Sequence, residues 1–133
     1  MIPLTLALML AVPLAAQVES QSVAIPEEEP VYTVVEEDPE FPGGMEALYQ
    51  YLSSNIKYPE KAKAEKITGR VFISFVIEKD GSISNAKVLR CPDEMLCDEA
   101  MRVVKAMPKW KPGRQRGKRV RTQYTLPISF TLN

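Results

Sequence analysis

The sequence predicts an α+β domain of two layers, in which an antiparallel three-stranded sheet carries helices on one face and the central order is ββαβ. Two segments with alternating apolar and polar residues flank an Asp-Gly pair, as in a β-hairpin. A segment of helical period follows them, and a third alternating segment closes the chain. Because a sheet with one apolar face must be covered on that face, this order favours a two-layer sandwich.

Two helices are predicted before the sheet. Four apolar residues at the spacing of one helical face predict a helix over residues 44–54: Met45, Leu48, Tyr49 and Leu52. A short second helix follows, with Pro59 suited to its first position and Glu60 to its positive end.

The hairpin strands cover residues 69–78 and 83–89, and Gly81 supplies the positive φ that the turn between them requires. Residues 120–132 alternate throughout and form the clearest strand. Pro127 has no amide hydrogen, which suits an edge strand. If this last strand lies beside the first, it therefore lies at an edge of the sheet.

Between hairpin and last strand, an apolar face predicts a helix around Leu96, with Asp98 as its cap or a first-turn residue. Pro108 and the Pro112-Gly113 pair end it, and a loop follows. Trp110 in that loop is interpreted as closing the core, with a partner-facing anchor as the alternative.

The charges and the first residues indicate separate segments. Residues 1–56 contain nine acids and no base, although the whole chain has 17 of each. Residues 1–16 are uncharged and largely apolar, which predicts a signal peptide or, alternatively, a truncated membrane anchor. Residues 17–40 are predicted to form an acidic, proline-containing tether, and residues 41–133 the domain. The acid run is interpreted as a solvated linker, with attraction to the basic half as the alternative.

The residue types argue against an enzyme and against a bound cofactor or metal. The chain has no histidine, which excludes His-based metal sites and triads. Acid pairs at residues 93–94 and 98–99 are explained by helix capping and the helix dipole rather than by acid–base chemistry. No phosphate-binding loop or nucleophile elbow occurs in the sequence.

Two further features leave alternatives open. Cys91 and Cys97 could close a small disulfide loop in an oxidising compartment, or be two independent thiols. Seven basic residues and no acids lie from Lys109 to Arg121. They form either a solvated surface or one that steers an anionic partner, and export argues against nucleic acid.

From Tyr58 onward, four motifs follow in order over about 75 residues: YPEKA, GRVFISFVIEKDGSI, DEAMRVVKAMPKWKPGRQRGK and TLPISF. Together they resemble the C-terminal domain of TonB-family energy transducers. The preceding FPGGMEALYQYLSSNIKYP is similar to the lead-in of members from Bacteroidetes-type bacteria.

This resemblance implies a periplasmic domain without catalytic activity that takes part in energy-coupled transmembrane transport. Its expected partner is the TonB box, a short extended segment of TonB-dependent outer-membrane transporters, which adds to the last strand. The flanking contact is expected at Lys57 and Tyr58. The strand residues expected to bind are Gln123, Tyr124, Thr125, Leu126, Pro127, Ile128, Ser129 and Phe130.

The chain also departs from the energised members of this family. Those have a membrane-spanning helix that engages a proton-driven motor, often through a His, and a long spacer. Here a tether of about 24 residues would reach only about 80 Å. Motor contact is therefore expected only for a longer, inner-membrane-anchored form, and the alternative function is a homodimeric envelope adaptor that pairs its edge with a second copy.

Overall fold

The structure is a computed structural model that describes residues 29–132. The predicted signal peptide or anchor, residues 1–16, lies outside the described residues. None of the helices within residues 29–132 is long and apolar enough to cross a membrane. The elements are β1 (Val31–Tyr32), α1 (Gly44–Asn55), α2 (Glu60–Ala64), β2 (Gly69–Ile77), β3 (Ile83–Arg90), α3 (Glu94–Lys105), β4 (Gly113–Gln115) and β5 (Lys118–Phe130).

The sheet has the strand order β1-β5-β2-β3, and β4 also pairs with β5. β2 is antiparallel to both of its neighbours and pairs along its whole length with β5. β1 is parallel to β5, so the sheet is mixed. The α+β class is confirmed. The prediction of three antiparallel strands was incomplete, because β1 and β4 are only two and three residues long and too short to show an alternating pattern.

The core lies between one sheet face and the helices. Alternate residues of β2 and β5 point into it, as the period of a strand requires. Trp110 is buried there and meets Phe41 and Phe75 edge-on, which confirms its interpretation as a core residue. The other members from the main elements are Leu48, Leu52, Val71, Ile73, Phe75, Ile77, Leu96, Ala100, Val103, Val104, Leu126, Ile128 and Phe130.

The β2–β3 hairpin is confirmed. The N–H of Glu78 donates to the Ser82 carbonyl at 2.8 Å, and the N–H of Gly81 donates to the Glu78 carbonyl at 2.9 Å. Gly81 has the expected positive φ, 89°. A second hairpin, between β4 and β5, turns at Arg116 and Gly117, both with positive φ. It lies where the sequence predicted a loop.

The prediction that Asp98 is the cap or a first-turn residue of the third helix was wrong. Asp93 is the N-cap, and its carboxylate accepts the N–H of Met95 at 2.8 Å. Asp98 lies in the second turn and is exposed. The apolar period identifies the buried face of a helix but not its first turn, which is fixed by an acceptor for its free N–H groups. Cys91 and Cys97 are joined as a disulfide, which links the end of β3 to α3.

Part of the predicted tether pairs with the domain. Besides β1, Glu37 forms an antiparallel bridge with Arg114, and Glu40 forms one with Lys111. Pro39 is buried between these two bridges. This segment is held by main-chain hydrogen bonds, which any residue type can make. Its low apolar content therefore gave no indication that it pairs with the domain. The division of the chain at residues 16 and 40 stays a prediction.

Candidate interaction edge

One side of β5 is open along most of its length. β2 occupies the other side, from Thr122 opposite Ile77 to Phe130 opposite Gly69. On the open side, β1 reaches only Arg121 and Thr122. Within residues 29–132, no further strand pairs with that side over residues 123–130. β5 is thus an edge strand for the eight residues that the sequence singled out.

Pro127 determines which main-chain groups face this open side. It lies opposite Phe72 in an uninterrupted ladder, although it has no N–H to donate. In an antiparallel ladder, pairs that exchange two hydrogen bonds alternate with pairs that exchange none. Pro127 and Phe72 are therefore a non-hydrogen-bonded pair. The same is true of every second residue of β5 along this stretch, namely Gln123, Thr125 and Ser129. The main-chain groups at these four positions point away from β2.

The side chains of residues 123–130 alternate in burial. Leu126, Ile128 and Phe130 are buried in the core, and Tyr124 is half-buried. The Tyr124 ring lies 5.0 Å from that of Trp110, centre to centre, and burial raises the pKa of its hydroxyl. The remaining positions are exposed: Gln123, Thr125, Pro127 and Ser129. The predicted binding strand therefore combines a buried half that supports the fold with an accessible half.

Helix α1 borders the open edge. A depression of about 650 Å³ lies between Met45 and the start of the edge at Gln123 and Thr125. A second one, of about 620 Å³, lies between Tyr49 and the end of the edge at Pro127 and Ser129. Both depressions lie between α1 and β5, and the first is also bordered by Thr33, Asp38 and Glu40. The pair is here called the α1–β5 groove. The sequence indicated β5 but not the helix beside it.

Met45 and Tyr49 are exposed to 51% and 59%, although the sequence placed them on the apolar face of the helix. On that face only Leu48 and Leu52 are buried. The apolar period of α1 thus serves two surfaces, the core and the α1–β5 groove.

The two flanking residues predicted with the strand lie in different places. The Tyr58 ring packs edge-on against Phe130 at 5.6 Å, and its hydroxyl donates to the carbonyl of Ile67. Lys57 is exposed, and its main-chain N–H donates to the carboxylate of Glu99 at 2.6 Å. Tyr58 thus borders the end of the groove, whereas Lys57 lines a separate depression beside α3.

Arg121 holds the start of β1 in place at the end of the open edge. Its Nε donates to a carboxylate oxygen of Glu78 at 2.8 Å, and its Nη1 donates to the carbonyl of Glu29 at 2.9 Å. The hydrogen bonding from Arg121, with a smaller contribution from Ser84, lowers the pKa of Glu78. The ion pair between Lys79 and Glu29 adds a second link. β1 is therefore tied at the place where the open stretch begins.

The groups at this edge suit strand pairing. Within the described part of the chain, no three His, Cys, Asp or Glu side chains are grouped so that they could hold a metal ion. The main features of the site are unpaired main-chain groups and an apolar helix wall. An edge of this kind can accept one more strand.

Comparison with known proteins agrees with this fold. The family model of the Gram-negative bacterial TonB protein C-terminal matches residues 54–132. An NMR structure of the Helicobacter pylori TonB C-terminal domain, residues 194–285, is 25% identical, with a TM-score of 0.52 over 65% of this chain and 91% of that one.

A second NMR structure of the Helicobacter pylori domain, residues 179–285, is 24% identical, with a TM-score of 0.50 over 65% of this chain and 78% of that one. A search of curated proteins found no match. Members of the matched family are periplasmic, non-enzymatic domains that function in TonB-dependent transport and interact with outer-membrane transporters. The family model covers more than half of the sequence, and the chain belongs to the TonB C-terminal family.

Proposed function

We propose that this domain binds TonB-dependent outer-membrane transporters in the periplasm by strand addition, with the transporter's TonB box pairing along β5. The observation that supports this most is the open side of β5, where Gln123, Thr125 and Ser129 direct main-chain N–H and C=O groups away from β2. At Pro127 only the carbonyl is available. A bound strand would satisfy these groups.

β1 supports the same mode of binding. It is an extended segment that pairs with the same side of β5 at Arg121 and Thr122. Each main-chain hydrogen bond contributes only about 1 kcal/mol net, because the free groups are already hydrated. Selectivity must therefore come from alternate side chains of the bound segment.

The cellular location of the chain and its role in energy transduction are part of the same proposal. The domain acts in the periplasm, and it takes part in energy transduction through inner-membrane motor proteins where an anchored form exists. The mature protein from its native envelope, analysed by mass spectrometry, shows whether residues 1–16 are removed.

The test is a titration of the full chain with a synthetic TonB-box peptide, followed by amide NMR shifts. We expect shifts concentrated in β5. Thr125→Pro removes an N–H that faces the open side and leaves the ladder to β2 intact, so affinity should fall roughly 5- to 10-fold. Thr125→Ala keeps the N–H and serves as the matched control, with affinity close to that of the wild type.

Two results would contradict the proposal. Unchanged affinity of a folded Thr125→Pro variant would mean that the peptide pairs elsewhere. Concentration-dependent dimerisation without any peptide shift in β5 would instead favour the homodimeric adaptor.

A further inference from the structure

We propose that Met45 and Tyr49 determine which strand is accepted, by contacting two apolar side chains of the bound segment that lie two residues apart. This inference rests on the proposed function and concerns the same edge. It assigns selectivity to α1, which makes none of the main-chain hydrogen bonds of the added strand.

The first step is the exposure of these two side chains. Within residues 29–132, five large apolar residues are exposed: Val31, Val34, Met45, Tyr49 and Leu89. Met45 and Tyr49 are neighbours on α1, and each lines one of the two depressions of the α1–β5 groove. An exposed Met and an exposed Tyr beside an unpaired strand edge offer apolar surface that the side chains of an added strand can cover.

The second step is direction. Met45 shares its depression with residues 122–125 of β5, and Tyr49 shares the other with residues 127–131. Helix α1 therefore runs beside the edge in the same direction as β5. A segment added to β5 would lie between that strand and the exposed face of the helix.

The third step is spacing. Met45 and Tyr49 are four residues apart in a helix, which is about 6 Å along its axis. Two residues of a strand span about 6.7 Å, and residues two apart point to the same face. Consecutive side chains on the helix-facing side of the bound segment therefore meet Met45 and Tyr49 in turn, whichever way the segment runs.

The chemistry of the expected ligand follows from this match. The bound segment should carry apolar residues at the two positions that face Met45 and Tyr49. The residue between them points to the outer face, where the neighbouring side chains Thr125 and Pro127 are exposed, so its identity should matter little. The next helix-facing position meets Ser53, which is exposed and small, and should tolerate a polar residue.

The experiment is a set of double-mutant cycles between the full chain and the TonB-box peptide. Met45→Ala and Tyr49→Ala are each combined with alanine at every peptide position, and affinity is measured by calorimetry. We expect each protein variant to bind roughly 5- to 10-fold more weakly. Met45 should couple to one peptide position, and Tyr49 should couple to the position two residues away.

Matched variants separate this effect from unfolding and from general loss of apolar surface. Leu89→Ala removes an apolar side chain of 53% exposure from β3, on the far side of β2, and should not change affinity. Tyr49→Phe keeps the ring and should bind like the wild type. Both α1 positions are exposed, so the alanine variants should keep the wild-type amide spectrum away from the groove.

The outcomes distinguish the inference from the proposed function. If Thr125→Pro weakens binding but Met45→Ala and Tyr49→Ala do not, the proposed function stands and the inference is wrong. Coupling to adjacent peptide positions, or no coupling at all, also overturns it. If the peptide causes no shift in β5, the proposed function fails first.

Discussion

Gly81 has two roles, of which the sequence shows one. Its φ of 89° allows the turn of the β2–β3 hairpin, as the Asp-Gly pair predicted. Its carbonyl also accepts the N–H of Trp110 at 2.9 Å, and a Cβ at this position would clash with the Trp110 main chain. The second role depends on a residue 29 positions later in the chain and could not be read from the local pattern.

We expect Gly81→Ala to destabilise the domain more than Gly117→Ala. Gly117 also has positive φ, but a Cβ there meets nothing within 4 Å. Its substitution should cost about 1 kcal/mol for the backbone conformation alone, whereas Gly81→Ala adds a main-chain clash and should cost more than about 3 kcal/mol. Denaturant unfolding measures both values. Equal costs would mean that the approach of Trp110 contributes nothing to stability.

At the scale of elements, the first turn of α3 was predicted wrongly, whereas α1 begins at Gly44 as the sequence predicted. The apolar period of α3 identified its buried face but placed its first turn about four residues too late. The structure assigns the cap to Asp93, which has extended backbone angles and accepts the N–H of Met95. For α1 the same kind of pattern was read as one face, although Leu48 and Leu52 enter the core while Met45 and Tyr49 do not.

The assignment of the α3 cap gives a direct test. Asp93→Ala should lower the free energy of unfolding by about 1 kcal/mol, because it leaves a helix N–H without its acceptor. Asp98→Ala changes an exposed second-turn residue and should stay within about 0.5 kcal/mol of the wild type. Thermal or urea unfolding of the two variants compares them. A larger loss for Asp98→Ala would restore the sequence-based assignment.

At the scale of the whole molecule, the Glu78 carboxylate joins three parts of the sheet. It follows β2, accepts two hydrogen bonds from Arg121 of β5, and accepts another from Ser84 of β3. These contacts hold the pKa of Glu78 below 4.5, its ordinary value. The folded state thus favours the ionised form, and the resulting stability is present above the unfolded pKa and lost as pH falls through the lower folded pKa.

Glu78→Gln should therefore lower the free energy of unfolding by about 1 kcal/mol at pH 7, the scale of a partly buried charged pair. The difference from the wild type should shrink as pH falls below 4.5, because the wild-type carboxyl then also becomes neutral. Urea unfolding at a series of pH values measures this. Asp98→Asn, at an exposed position, is the control, and a difference that persists unchanged to pH 2 would contradict the prediction.

By itself, the sequence determined the α+β class, the strands β2 and β5, the hairpin turn, and which side chains of β5 are buried. These features follow from local period, since residues two or four positions apart share a face wherever the element lies. Trp110 could also be assigned to the core from its type and its position after a helix.

Only the tertiary structure decided how β5 is bordered. The pairing of Val31 with Arg121 joins residues 90 positions apart, and neither segment carries a local sign of the other. The same holds for α1, whose place beside the edge exposes Met45 and Tyr49. Period tells which face of an element is apolar, but the neighbour that meets that face is set by long-range packing of the whole chain.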